Sequence, residues 1–143
     1  MADFNASEFD RTGTPPALST GHLVNGRVRS IRASINMSEV TVTNGDRIYI
    51  GKRPKGSRYC GHRMTTEVSL GSSTVAIGSD GTAAKYKAAG TFTAVDTPTD
   101  IALAAQLAAD PLTADEDMYA TIAAADLPTS DDHLVIETFY TYD

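Results

Sequence analysis

The 143-residue chain has no tryptophan, a single cysteine and no apolar run approaching the roughly 20 residues that cross a bilayer. One cysteine, Cys60, excludes an intrachain disulfide framework and fits synthesis in a reducing compartment. The acidic start, Met1-Ala-Asp-Phe-Asn-Ala-Ser-Glu-Phe-Asp10, lacks the apolar stretch of a signal peptide. Aromatics are only 7% of the chain, so a core has to come from Val, Ile, Leu and small side chains. Hydroxyl residues, by contrast, are abundant, with 18 Thr and 11 Ser. This composition predicts one soluble, β-rich domain made in a cytoplasm, with no membrane partner.

Positive charge is scarce outside one block. Residues 1–26 hold three acids and one base, for −2. Residues 27–63 hold nine bases against Glu39 and Asp46, for +7. Residues 64–143 hold thirteen acids against Lys85 and Lys87, for −11, which closes the net −6. A basic block followed by an acidic one can meet within one fold or between copies. The negative total opposes nucleic-acid binding, which needs an attractive field toward phosphate.

Residues 1–22 carry Gly13, Pro15-Pro16 and no sustained apolar period, which reads as an extended N-terminal arm, disordered or laid across a partner. Phe4 and Phe9 make docking of that arm plausible. From residue 23 to 143 the period is two. Ile31, Ala33, Ile35 and Met37 alternate with polar residues, and Val24 and Val28 on the other parity predict a bulge or bend near residue 29. Val40 and Val42 suggest a second strand, Ile48 and Ile50 a third. Asn44-Gly45 between them is a turn signal. A two-residue hairpin there would put the apolar residues of the two strands on opposite faces, so a wider connection or two separate sheets is favoured.

Tyr59 to Leu70 reads as a long strand with Cys60, His62, Met64, Val68 and Leu70 on its buried face. Thr74-Val-Ala-Ile-Gly78 follows, then a Ser79-Asp-Gly81 turn. Ala83 to Ala89 is compatible with a short helix, Thr91 to Val95 with a strand, and Asp100 with capping a helical turn over 101–109. Met118, Ala120 and Ile122 alternate, and Leu134 to Tyr142 closes the chain, with Leu134, Ile136, Tyr140 and Tyr142 on one face. About eight short strands separated by turns form the pattern of a β-sandwich or jelly roll over residues 23–143.

Sites for chemistry are few. Cys60 and His62 would point the same way, so a thiolate–imidazole pair is conceivable, but a buried thiol beside a core histidine is the ordinary arrangement. No second cysteine offers a metal set. His22 and His133 lack a nucleophile-elbow context, and the acidic groups Asp115-Glu-Asp117 and Asp131-Asp132 lack the spacing of an EF-hand. No catalytic, cofactor-binding or metal-binding constellation emerges, and the chain does not read as an enzyme. Gly51-Lys-Arg-Pro-Lys-Gly-Ser-Arg58 packs four bases into eight residues, as a positive loop for an acidic partner or a solvated turn. Candidate partner-binding residues are Phe4, Phe9, Arg27, Arg29, Arg47, Lys52, Arg53, Lys55 and Arg58.

The order Asn44-Gly-Asp46, Ile48-Tyr-Ile50, Pro54-Lys-Gly56, Leu70-Gly-Ser-Ser-Thr-Val-Ala-Ile-Gly78, Lys85-Tyr86 and Ala124-Ala-Asp-Leu-Pro128, closed by a strand ending in Tyr140, resembles the head decoration (cement) proteins of tailed bacteriophages. The resemblance covers about residues 20–142 and leaves the arm outside it. It implies a jelly-roll domain that binds the outside of an assembled capsid, with the major capsid protein and other copies of itself, as a dimer or trimer, for partners. The implied role is mechanical, with no catalytic residue or cofactor: bridging capsid subunits adds interface that must break before the shell fails. Alternatives are another virion part, such as a head fibre base or tail protein, or a carbohydrate-binding sandwich marked by clustered exposed aromatics, which only Tyr59, Tyr119 and the C-terminal tyrosines could supply.

Overall fold

The computed structural model describes residues 27–142, with the side chain of Tyr142 left aside. The chain runs β1 (Val28–Asn36), β2 (Arg47–Arg53), β3 (Ser57–Thr66), β4 (Thr74–Ser79), β5 (Thr82–Thr91), β6 (Thr99–Ile101), a one-turn helix α1 (Ala104–Leu107), β7 (Glu116–Ala123) and β8 (His133–Tyr142). These eight strands form two antiparallel four-stranded sheets, β1-β8-β3-β6 and β2-β7-β4-β5. Apart from the β4–β5 hairpin, every connection passes from one sheet to the other, which is the winding of a jelly roll.

The period-two sequences bury one face as expected. Met118, Ala120 and Ile122 of β7 are sealed against Leu134 and Ile136 of β8, Val75 and Ile77 of β4, and Met64 of β3. The Asn44-Gly45 turn is present. Asp46 donates its N–H to Thr43 O at 3.0 Å and takes the Thr43 N–H and hydroxyl on its carboxylate, which holds the Asp46 pKa below the ordinary range. The strands on either side of that turn belong to different sheets.

Several expectations are corrected. Residues 40–43 form no strand. Val42 is buried in the core while Val40 is exposed, and Val42 O accepts the Leu127 N–H from another connection. Ala83 to Ala89 is strand rather than helix, because Tyr86 at its centre lies fully buried between the sheets. Helix propensity among ordinary residues spans only about 0.7 kcal/mol each, and burying an aromatic outweighs it. That strand ends at Thr91, and Phe92 enters the core from the following connection. Asp100 sits in β6 rather than capping a helix; Leu103 precedes α1, without a side-chain cap. β1 pairs with β8 without a break from Val28 onward, so no bulge lies at residue 29; Val24 is outside the described residues.

The irregularities lie elsewhere and matter more. β3 shifts register between Tyr59 and Gly61, whose φ of +131° suits only glycine. That bulge reverses the parity. Ser57 and Tyr59 face inward before it, His62, Met64 and Thr66 after it, and Cys60 turns to the outer face. β3 ends at Thr66, so Val68, half-buried, and Leu70, buried, pack from the next connection. On β8 the third inward residue is Thr138, and Tyr140 is only half-buried.

β2 is kinked in the same way between Tyr49 and Gly51, where φ is +127° and a Cβ would lie 2.5 Å from Ile31 Cγ2. The glycine lets β2 close down on β1 across the mouth of the sandwich. Gly51→Ala is expected to cost about 2–4 kcal/mol, from backbone strain plus overpacking, read as a lowered melting temperature. Gly90→Ala in β5, where a Cβ meets only Lys87 Nζ at 3.5 Å, should change stability by less than about 1 kcal/mol.

Candidate assembly surface and inter-sheet hub

The nine residues selected from sequence do not form one patch. Phe4 and Phe9 lie outside the described residues. Arg27 and Arg29 are exposed at the start of β1. Arg47 projects from the outer face of the second sheet, 2.9 Å from Asp80 and 4.4 Å over the Tyr119 ring. Lys52 pairs with Asp117 at 3.6 Å on the same strands. Lys55 sits in the β2–β3 turn, its N–H donated to Asp115 at 2.8 Å, and Arg58 Nη1 donates to Ala109 O at 3.1 Å. Arg53 is a correction: it is 2% exposed and points into the core, so it contributes nothing to an outer surface.

Arg53 is the centre of a polar hub between the sheets. Its Nη1 donates to Tyr86 Oη at 2.6 Å, its Nη2 to Ser57 O at 3.1 Å, and Glu116 lies 4.0 Å away. Glu116 also accepts from Tyr86 Oη and Lys85 Nζ. The rings of Tyr59, His62 and Tyr86 form a triangle with centroids 4.7–5.4 Å apart, and Arg53 sits 5.5 Å from both tyrosine rings. Tyr59 Oη and His62 Nδ1 share a hydrogen bond of 2.7 Å. Burial pushes both tyrosine hydroxyls well above the ordinary phenol range. Burial first, and the Arg53 charge second, hold the His62 imidazole down to about 3. His62 and Cys60 therefore face opposite sides of β3, and no thiolate–imidazole pair forms.

The outer faces differ. On the first sheet, Val28, Cys60, Ile101, Ala102 and Phe139 line a shallow apolar groove of about 330 Å³, edged by the Arg63–Asp100 ion pair at 2.7 Å. On the second, Tyr49, 53% exposed, meets Tyr119 edge-on at 5.6 Å. Sequence reasoning named Tyr119 as an exposed aromatic and Arg47 as a partner residue but missed Tyr49 and the cluster the three form. Tyr59, named with Tyr119, is buried in the hub instead. Tyr49 was visible as the polar-face residue between Ile48 and Ile50, but only the β2–β7 register brings Tyr119 opposite it.

The basic and acidic blocks meet within the fold. Arg47–Asp80, Lys52–Asp117, Arg53–Glu116 and Arg63–Asp100 each join one block to the other. What remains is sorted by end. The four connections at the end where β1 stops carry Glu39, Asp46, Glu67, Asp96, Asp126, Asp131 and Asp132, and no Lys or Arg. Arg27, Arg29, Lys55 and Arg58 lie at the opposite end, beside Asp110 and Asp115.

Two measurements test the hub. Arg53→Leu is expected to cost about 3–5 kcal/mol, because Glu116 stays buried with its charge only partly matched. His62 in the native state binds its proton near pH 3, against about 6.5 when unfolded, so the unfolded chain holds more protons between those values. Stability is therefore full above about pH 6.5 and falls as pH drops toward 3, by up to about 1.4 kcal/mol per pH unit. Melting curves of His62→Gln against pH should lose that slope.

No family model matches this sequence, and no curated protein matches it. Its fold is shared with chains in three phage structures. The first is the cyanophage Pam1 capsid asymmetric unit, at TM-score 0.66 and 18% identity over 100% of both chains. The second is the capsid of Ralstonia phage GP4, at TM-score 0.64 and 16% identity over 82% of this chain and 86% of that one. The third is the acidic stable capsid structure of Helicobacter pylori bacteriophage KHP30, at TM-score 0.58 and 13% identity over 82% and 90%. Each match covers at least 82% of both chains, so the matched chains are about the size of this one. At such identities the likeness establishes the fold.

Proposed function

We propose that this chain is a virion structural protein that binds the outside of an assembled phage capsid and braces it by bridging neighbouring subunits. The observation that carries the reading is the jelly-roll match along the whole length of a chain in the Pam1 capsid. Two further capsids holding chains of similar size and fold support it. The partners in this reading are the major capsid protein and other copies of this chain, in a dimer or trimer. Residues 1–22, with Phe4 and Phe9, act as an arm docked on the shell, and Arg27, Arg29, Arg47, Lys52, Lys55 and Arg58 set register against acidic surface.

Packaged DNA presses the shell outward, so a brace works by adding contact that must break before subunits part. Exposed ion pairs contribute about 0–1 kcal/mol each, so charge chooses the partner more than it holds it. Affinity then comes from buried apolar area, multiplied by the avidity of an oligomer. A second reading, a carbohydrate-binding sandwich, is favoured by one feature, the exposed Tyr49 set edge-on against the half-buried Tyr119.

The test is titration of the purified chain against shells that lack it. Saturable binding that raises the shell's melting temperature is expected, weakening less than about tenfold between 50 and 200 mM salt. Deleting residues 1–20 should weaken attachment and leave the chain's own melting temperature nearly unchanged. Steep, salt-sensitive binding to duplex DNA with none to shells would overturn the proposal. Binding to glycans but not shells would establish the second reading.

A further inference from the structure

The edge strands of the two sheets are β1 and β6, and β2 and β5. Each edge presents a row of unpaired backbone N–H and C=O groups that a foreign strand can join, and folded proteins blunt such edges with short strands, bulges or charge. Three of these four are blunted by their geometry. β6 is three residues long. β5 slips register twice against β4, and Lys85 and Lys87 turn back to Glu116 and to Val75 O. β2 is broken by the Gly51 kink.

β1 is built differently. Its nine residues pair one for one with β8, with no register shift and with neither glycine nor proline. Among the described residues no strand pairs with its other side. We infer that this open edge of β1 receives an extended, acidic segment of the capsid partner as an added strand. The inference rests on the capsid-binding reading above and names the mode of that contact.

Charge selects the occupant. Residues 27–38 carry Arg27, Arg29 and Arg32 and no carboxylate, and all three arginines are exposed. Across the ladder, Glu137 stands opposite Arg32 and is shared in register with Arg63. A second β1 pairing antiparallel about its midpoint would set Arg32 against Arg32, and like charges directly opposite destabilise a strand pair. An incoming strand bearing Asp or Glu meets no such opposition. Val28, 59% exposed at the start of the edge, forms one wall of the apolar groove with Cys60 and Phe139. The segment that fits is therefore extended, acidic, and carries one large apolar side chain over that groove. Main-chain hydrogen bonds supply the affinity and the alternate side chains the selection.

Hydrogen exchange of the full chain, free and bound to shells that lack it, tests this. Outward-facing β1 amides should exchange fast in the free chain and at least tenfold more slowly on shells, while β5 and β6 change little. Arg27→Glu combined with Arg32→Gln, which places no carboxylate opposite Glu137, should weaken shell binding at least tenfold with the melting temperature kept. Arg29→Pro and Ser30→Pro differ in which side of the strand loses its N–H. Whichever of the two keeps the native melting temperature should have lost binding. Shell binding with unchanged β1 exchange would overturn the inference and leave the capsid reading standing. Protection of β1 in the free chain, by its own earlier residues or a second copy, would also overturn it. No binding to shells would remove both.

Discussion

A buried guanidinium governs how the two sheets of this sandwich meet. Arg53 is enclosed on all sides, and a charge removed from water has to be compensated by its neighbours. Nη1 and Nη2 each find an acceptor and a carboxylate lies close by, while Nε has no partner among the described residues. The matching groups come from three other strands: the Ser57 carbonyl on β3, the Tyr86 hydroxyl on β5 and the Glu116 carboxylate on β7. Three of these four strands belong to one sheet and β3 to the other, so the hub fixes their relative position. An apolar core would accept small slips between sheets; a forked donor with fixed acceptors does not. The same hub explains why β5 is a strand at all. Tyr86 has to reach both Arg53 and Glu116, and only an extended chain at that edge delivers it there.

How much of this was legible depended on whether a residue's fate is set locally. The alternation in β7 and the first half of β8 was visible because each strand is regular along those stretches, and a period of two then fixes the face. Cys60 was misplaced because one extra residue at Gly61 flips everything before it, and a bulge leaves no mark in the apolar pattern. Ala83 to Ala89 was misread because alanine favours helix locally, whereas the partner that makes it strand is β4. The basic run from Lys52 to Arg58 looked like one surface because it is continuous in sequence. In space Arg53 points inward and Lys52 faces Asp117, while Arg58 reaches the 102–115 connection. The two-sheet sandwich and six of its strands were thus readable, whereas β5, β6 and the distribution of side chains between faces were not.

The shared fold at 13–18% identity follows from what a jelly roll requires. The fold needs strands of workable length, alternating burial and connections that change sheets, and these constrain residue class far more than residue identity. Arg53, Tyr86 and Glu116 are one solution to holding the sheets in place. Other sequences can meet the same demand with a different set.

The sorting of charge between the two ends has a consequence at a distance. β8 runs ten residues, so the ends stand about 33 Å apart, several times the Debye length of about 8 Å at physiological ionic strength. A partner approaching in solution therefore feels one end at a time, and the net charge of −6 is not what it senses. The charges of the described residues form an electric dipole, turned by the field of a charged surface before any side chain touches. Its seven clustered carboxylates swing away from a negative surface, leaving the end where β1 begins to arrive first.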